Sequence, residues 1–207
     1  MGKRIYIQGA SGKLGKAVLE ELAKHPQMGV TSDFSEAHVV LDVSAPEALD
    51  WILASCVEEK KPLIIGTTGH TDAQVEAIQQ AAKVISVLHT PNFSEGMAFL
   101  HALAAGFSEE LKNAEFEIFE THHTEKRDSP SGSALALAEA TGRQNVPIHS
   151  ERIGGSPGVH KVKISWGHEV LEFTHYALDR KAFAEGAVRA ILFILNKPLG
   201  YYTLCHL

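Results

Sequence analysis

Ile5-Tyr6-Ile7-Gln8 is a short, mostly apolar run that predicts a strand. A glycine-rich turn follows, and then Leu14, Ala17, Val18, Leu22 and Ala23 recur at helical spacing. Val39 to Val43 predicts a second strand. Pro46 suits a first helical turn, and Ala48, Leu49, Ile52, Leu53, Cys56 and Val57 fall on one apolar stripe. Leu63 to Gly66 is another buried strand. Thr71 followed by Gln74 spells a capping box for a helix reaching about Ala82. Val84 to Leu88 is one more strand. Apolar strands alternating with helices predict a parallel sheet covered on both faces.

The pattern changes after Asn92. A helix is expected from Ser94 to Leu111. Glu115 to Glu120 alternates polar and apolar, which marks a half-exposed strand. A short helix starts near Ser131. Val159 to Trp166 and Glu169 to Tyr176 are two more alternating strands around Gly167-His168. This is an α+β unit with an antiparallel or mixed sheet, and few helices are at hand to cover it. A subunit interface would supply the missing cover. Arg180 to Asn196 is a long amphipathic helix, expected to return to the first domain. The fold class is therefore α/β. A Rossmann-like parallel sheet spans 1–93, completed by 180–207, and an α+β domain spans 94–179.

Composition narrows the field. The chain has 207 residues, 44% of them hydrophobic, which is enough for a real core. Lys and Arg total 19 against 25 Asp and Glu, a formal charge of -6. No basic surface is implied, so nucleic acid is not an expected partner. Cys56 and Cys205 make neither a disulfide framework nor a zinc pattern, and Cys56 is expected in the core. No signal-peptide core precedes the first strand and no apolar run is long enough to span a membrane, so the cytoplasm is expected.

Gly9-Ala10-Ser11-Gly12-Lys13-Leu14-Gly15 lies between a strand and a helix. There a helix start can point free N–H groups at a pyrophosphate, and small residues let the backbone come close. Dinucleotide binding is expected. Asp33, 18 residues after Gly15, is either the acid that holds the adenosine ribose or a plain loop residue. No arginine stands near it to welcome a 2′-phosphate, which favours NADH over NADPH. Gly66-Thr67-Thr68-Gly69 and Pro91-Asn92-Phe93 follow strands where a ligand crevice would lie, although each alone is an ordinary strand-to-helix turn.

Thr121 to Ser133 is the densest polar stretch. His122, His123, Lys126 and Arg127 fall just before a helix start built from Ser131, Gly132 and Ser133. Such a helix start is an anion site, and with the nearby cations it suits a compact substrate with more than one carboxylate. A histidine or lysine there can deliver a proton near neutral pH. Adjacent strand histidines point to opposite sides, and no other set completes a metal site, so no metal is expected. Of the scattered histidines, His160 and His168 flank one strand and either could line a site. Most of the others, His25, His38, His101 and His175 among them, are expected to be surface or satisfied structural residues.

The stretch His122-His123-x-x-Lys126-x-Asp128-x-Pro130-Ser131-Gly132-Ser133 resembles the signature of the 4-hydroxy-tetrahydrodipicolinate (dihydrodipicolinate) reductase family. Gly9 to Gly15, Gly66 to Gly69, Pro91 to Ser94, and the tail from Thr174-His175 to Tyr202 resemble its other blocks, in order. The resemblance implies NADH or NADPH as cofactor and reduction of a cyclic imine dicarboxylate to tetrahydrodipicolinate in lysine and diaminopimelate synthesis. It implies that His122 gives or takes a proton and that Lys126 is a second donor. It implies that His123 binds substrate, with Gly132 and Ser133 on a carboxylate. The dinucleotide would be lined by Gly9, Ala10, Ser11, Gly12, Lys13 and Leu14, by Gly66, Thr67 and Thr68, and by Thr90, Pro91, Asn92 and Phe93, with Asp33 on the ribose. A homotetramer joined through the second sheet is also implied. Ser133 stands where threonine is commoner, and Glu125 and Glu95 depart from the family pattern. A different imino-acid dehydrogenase, or a non-catalytic dinucleotide binder, would be expected to lack the His-His-Lys block.

Overall fold

The computed structural model describes residues 2–203; Cys205, for which no pairing was expected, lies outside them. The chain divides into two compact units, one up to Phe93 together with the residues from Phe183, the other Ser94–Ala182.

The first unit holds six parallel strands: β1 (Lys3–Gln8), β2 (Met28–Thr31), β3 (Val39–Asp42), β4 (Leu63–Ile65), β5 (Ser86–His89) and β10 (Gly200–Tyr202), in the order β10-β5-β4-β3-β1-β2. Strand order reverses between β1 and β3, the place where such sheets bind ligands at their carboxyl ends. Helices α1 (Lys13–Leu22) and α6 (Lys181–Ile194) share one apolar core with Ile5, Ile64 and Leu88. Helices α2 (Leu49–Glu58) and α3 (Asp72–Ala81) share another with Val40, Leu63 and Val87, which includes the buried Cys56. The C-terminal helix thus returns to the first sheet as expected. The capping box forms: Thr71 Oγ1 accepts from Gln74 N, and Gln74 Oε1 accepts from Thr71 N.

Three strands were not anticipated. β2 has four residues including a glycine, β10 has three, and both lie at the sheet's edges. β5 starts two residues later than its apolar run, because Val84 belongs to the turn after α3 and is 44% exposed. Pro46–Ala48 forms a single 3-10 turn before α2.

The second unit is a mixed sheet ordered β7-β6-β8-β9, from β6 (Glu115–His122), β7 (Ile148–Arg152), β8 (Val159–Trp166) and β9 (Glu169–Tyr176). β7, the third unanticipated strand, pairs parallel to β6. Register places residues in cross-strand rows. Phe116, Ile164 and Leu171 form one row, and Ile118, Val162 and Phe173 the next. Helices α4 (Glu95–Glu110) and α5 (Gly132–Ala140) pack on this apolar face. The opposite face carries Phe119, Lys161, Lys163, Glu172 and Tyr176, the last 62% exposed.

One contact locks α6 to the sheet. A Cβ on Gly186 would lie 1.8 Å from the carbonyl oxygen of Phe93, while a Cβ on Gly66 would lie 2.3 Å from the Phe93 ring. Two glycines therefore admit Phe93 to the core, where it is 2% exposed. Gly186→Ala is expected to cost about 1–3 kcal/mol or more, because the overlap is with backbone that cannot swing aside. Urea unfolding checks this, and an unchanged midpoint would refute the packing described.

Candidate active site

In the first unit the glycine turn does steric work. Gly9 has φ +88°, and a Cβ there would lie 2.5 Å from the carbonyl oxygen of Val43. A Cβ on Gly15 would lie 2.2 Å from the Gly9 oxygen, so the turn closes only without side chains. Gly12 caps α1, no side chain caps that helix, and its first turn has no acid. Ser11, Gly12 and Lys13 are exposed. An open helix start of this kind fits a pyrophosphate.

At the neighbouring strand ends, Thr67 Oγ1 accepts from Ser44 N at 3.0 Å, and Thr90 Oγ1 donates to the Asn92 carbonyl at 2.6 Å. Asp42 is fully buried; its Oδ1 accepts from Ser44 N and Oγ while Oδ2 has no protein partner. His70 Nε2, just past Gly69, is likewise unpartnered. Orphaned polar atoms at the carboxyl ends of β3 and β4 are what a polar ligand would satisfy. Neither residue was singled out in the sequence, although Asp42 could have been suspected as a charge ending an apolar strand. Phe93 takes its place in the core. Asp33 lies two residues past β2, exposed, and its carboxylate accepts from Ser35 N at 2.9 Å and Ser35 Oγ at 2.7 Å. Those bonds hold its carboxyl below the usual range. The nearby Arg4 is paired with Glu36.

In the second unit the last polar row on the helix-covered face is Glu120, His160 and His175, with His122 one step beyond on β6. Glu120 is 1% exposed. Its Oε2 meets His122 Nδ1, and its Oε1 accepts from Arg152 Nη2 at 2.8 Å and from Ser131 N at 3.2 Å. Burial opposes ionisation here, but Arg152 and the other donors outweigh it and hold Glu120 down to about 2. His122 is 7% exposed. Burial lowers its pKa more than Glu120 raises it, so the ring rests neutral near pH 7 with Nδ1–H on Glu120 and Nε2 left as acceptor.

His123, the first residue past β6, is half-buried. Lys126 Nζ lies 2.8 Å from Asp128 Oδ1. Arg152 Nη2 also donates to the Asp128 carbonyl at 2.5 Å, tying that loop to β7. Ser131 caps α5: its Oγ accepts from Ala134 N at 3.2 Å, and it is 1% exposed. Its part is to hold the helix start, with Gly132 and Ser133 in the first turn. Glu125 is exposed.

The sequence reading missed Glu120 and Arg152. Glu120 stands two residues before His122, so alternation alone would have placed both on one face. His160, one of two flanking histidines, is the one at the site; His168 is exposed in a turn. His160 has no hydrogen-bond partner at either nitrogen, and His175, expected to be a surface or satisfied residue, has none at Nδ1. Glu120, His122 and His160 bring donor atoms within 4.8 Å of one another. Three protein donors, His122, Arg152 and the Ser131 amide, already occupy the Glu120 carboxylate, and His160 hydrogen-bonds neither of the other two.

A dipicolinate-bound dihydrodipicolinate reductase from Paenisporosarcina sp. TG-14 has this fold, with TM-score 0.78, 21% identity and 98% of both chains covered. The first domain has a Rossmann-like architecture. The chain belongs to the dihydrodipicolinate reductase family: the family's N-terminal model matches residues 30–93 and its C-terminal model residues 96–207. It is 37% identical to the 4-hydroxy-tetrahydrodipicolinate reductase of Thermosipho africanus, over 97% of this chain and 95% of that one. It is 31% identical to that of Rickettsia bellii, over 97% and 92%.

The buried network fixes how stability responds to acid. Glu120 has a folded pKa of about 2, below its unfolded value of 4.5, so its contribution is present above 4.5 and is lost as pH falls toward 2. His160, pushed down to about 3 chiefly by burial, is neutral when folded, so stability also falls from pH 6.5 toward 3. Urea midpoints are expected to drop steadily from pH 7 to pH 4. A flat profile would contradict the buried, neutral histidines.

Proposed function

We propose that this chain reduces 4-hydroxy-tetrahydrodipicolinate to tetrahydrodipicolinate in lysine and diaminopimelate synthesis, in the cytoplasm and as a homotetramer. The single observation that carries the reading is the β6-to-α5 segment. Buried His122 is fixed by Glu120, and Lys126 and the α5 start follow it, in a chain matched to the family in both units. The reduced nicotinamide supplies hydride when bound. The open start of α1 holds its pyrophosphate, and the residues of Gly9 to Leu14, Gly66 to Thr68 and Thr90 to Asn92 line it. Asp33 carries the ribose. Its ionised carboxylate would repel a 2′-phosphate, and Arg4 is paired elsewhere, so NADH is the preferred cofactor.

His123 and the N–H and hydroxyl groups of Gly132 and Ser133 hold the substrate's carboxylates, assisted by the positive end of α5. Lys126 adds a cation and a proton donor. The two carboxylates favour the charged ring of His122, which then gives a proton from Nε2 while Nδ1 stays on Glu120. A second copy would cover the outer face of the β7-β6-β8-β9 sheet.

Nicotinamide oxidation by the purified chain tests this, with substrate made in place from pyruvate and aspartate semialdehyde by the preceding synthase. Oxidation is expected to depend on the synthase and to be faster with NADH than with NADPH. His122→Gln is expected to lower kcat by about 10²–10⁴-fold while cofactor binding holds. Lys126→Ala should cost both kcat and substrate affinity. Cofactor binding without synthase-dependent oxidation would sink the substrate assignment.

A further inference from the structure

His122 has one nitrogen committed to Glu120, and its other must be recharged after each turnover. Gly158 directly precedes β8, and a Cβ there would lie 3.1 Å from His122 Nε2 and 3.6 Å from His160 Cε1. Absence of that side chain leaves room beside the two rings. The His122 and His160 rings meet edge-on with centroids 5.0 Å apart, and the His160 and His175 rings stack at 6.4 Å. No direct hydrogen bond joins them. His175 Nε2 meets Ser94 Oγ at 3.0 Å at the far end.

Three imidazole nitrogens in this row of histidines have no partner: both of His160, which is 2% exposed, and Nδ1 of His175. Buried polar atoms of this kind are ordinarily satisfied by ordered water. A ligand atom of His122 and one of His160 lie within 4.8 Å, and one water with bonds of about 2.8–3.0 Å on each side spans such a gap.

We propose that His160 and His175, joined by water, form the path through which His122 regains its proton. This rests on the role given to His122 above. When Nε2 has given its proton away, the bridging water donates one to it and takes one from His160. His160 takes one at its other nitrogen from water on the His175 side. Each ring accepts at one nitrogen and releases at the other, so one proton enters from solvent and no electron moves. The three histidines must be neutral for this, since a neutral imidazole is both donor and acceptor. Burial keeps His160 at about 3, with His122 and Glu120 facing it from β6, His175 from β9 and Lys126 from the loop. Burial likewise lowers His175.

The test uses His160→Gln and His175→Gln in the full chain, assayed with the coupled synthase. His160→Gln is expected to lower kcat by about tenfold or more. KM should stay within about twofold, the solvent deuterium isotope effect on kcat should rise, and added imidazole should restore part of the rate. The half-buried His175→Gln should lose less but show the same isotope effect, and it decides the matter if His160→Gln does not fold. Wild-type kcat and isotope effect in the variants would overturn the relay, as would a loss of rate with neither an isotope change nor rescue. If the wild-type chain itself shows no synthase-dependent oxidation, the proposed function has failed instead. A high-resolution crystal structure then decides the path: water between His122 and His160 supports it, and a metal ion or a dry gap there refutes it.

Discussion

The second unit is organised around one buried carboxylate. A lone carboxylate without water would cost several kcal/mol, so Glu120 persists only because donors surround it. Those donors come from three places in the chain: His122 on its own strand, Arg152 at the end of β7, and the Ser131 amide at the start of α5. Each bond has a second consequence. The first sets the tautomer of His122. The second draws Arg152 over the loop that carries Asp128 and Lys126. The third fixes the start of α5 relative to the strand. The carboxylate thus sets the relative positions of the groups to which the chemistry is assigned.

The first unit solves a different problem, which is how to leave room. Gly9 and Gly15 let the turn after β1 fold on itself, and Gly66 and Gly186 admit Phe93 between sheet and helix. What remains at the strand ends is an uncapped helix start and the unpaired Asp42 Oδ2. Space and unsatisfied polarity are thus left together at the end of the sheet.

Much of this was legible in the residues. The boundaries of β8 and β9 match the alternating runs read from the residues, and the Thr71–Gln74 box marks the start of α3. β2, β7 and β10 were not legible, because Met28-Gly29-Val30-Thr31, Ile148-His149-Ser150-Glu151-Arg152 and Gly200-Tyr201-Tyr202 are short and lack apolar runs. Their strand character comes from neighbours at the sheet edges. At the site, local spacing brought out His122, Lys126 and the α5 start. The pairing of Glu120 with His160, and of His160 with His175, is a matter of register between strands about 40 and 15 residues apart, which no local pattern encodes. Arg152 was missed for the same reason, since it reaches the site through the pairing of β7 with β6.

The tautomer of His122 tests the account most directly. Nitrogen-15 NMR of ring-labelled protein at pH 7, with the His122 signal assigned by its loss in His122→Gln, reads it without any assay. A neutral ring protonated at Nδ1 is the expected result, with Nε2 as the acceptor. A ring protonated at Nε2 alone, or one already charged at pH 7, would contradict the claim that Glu120 holds and orients this histidine.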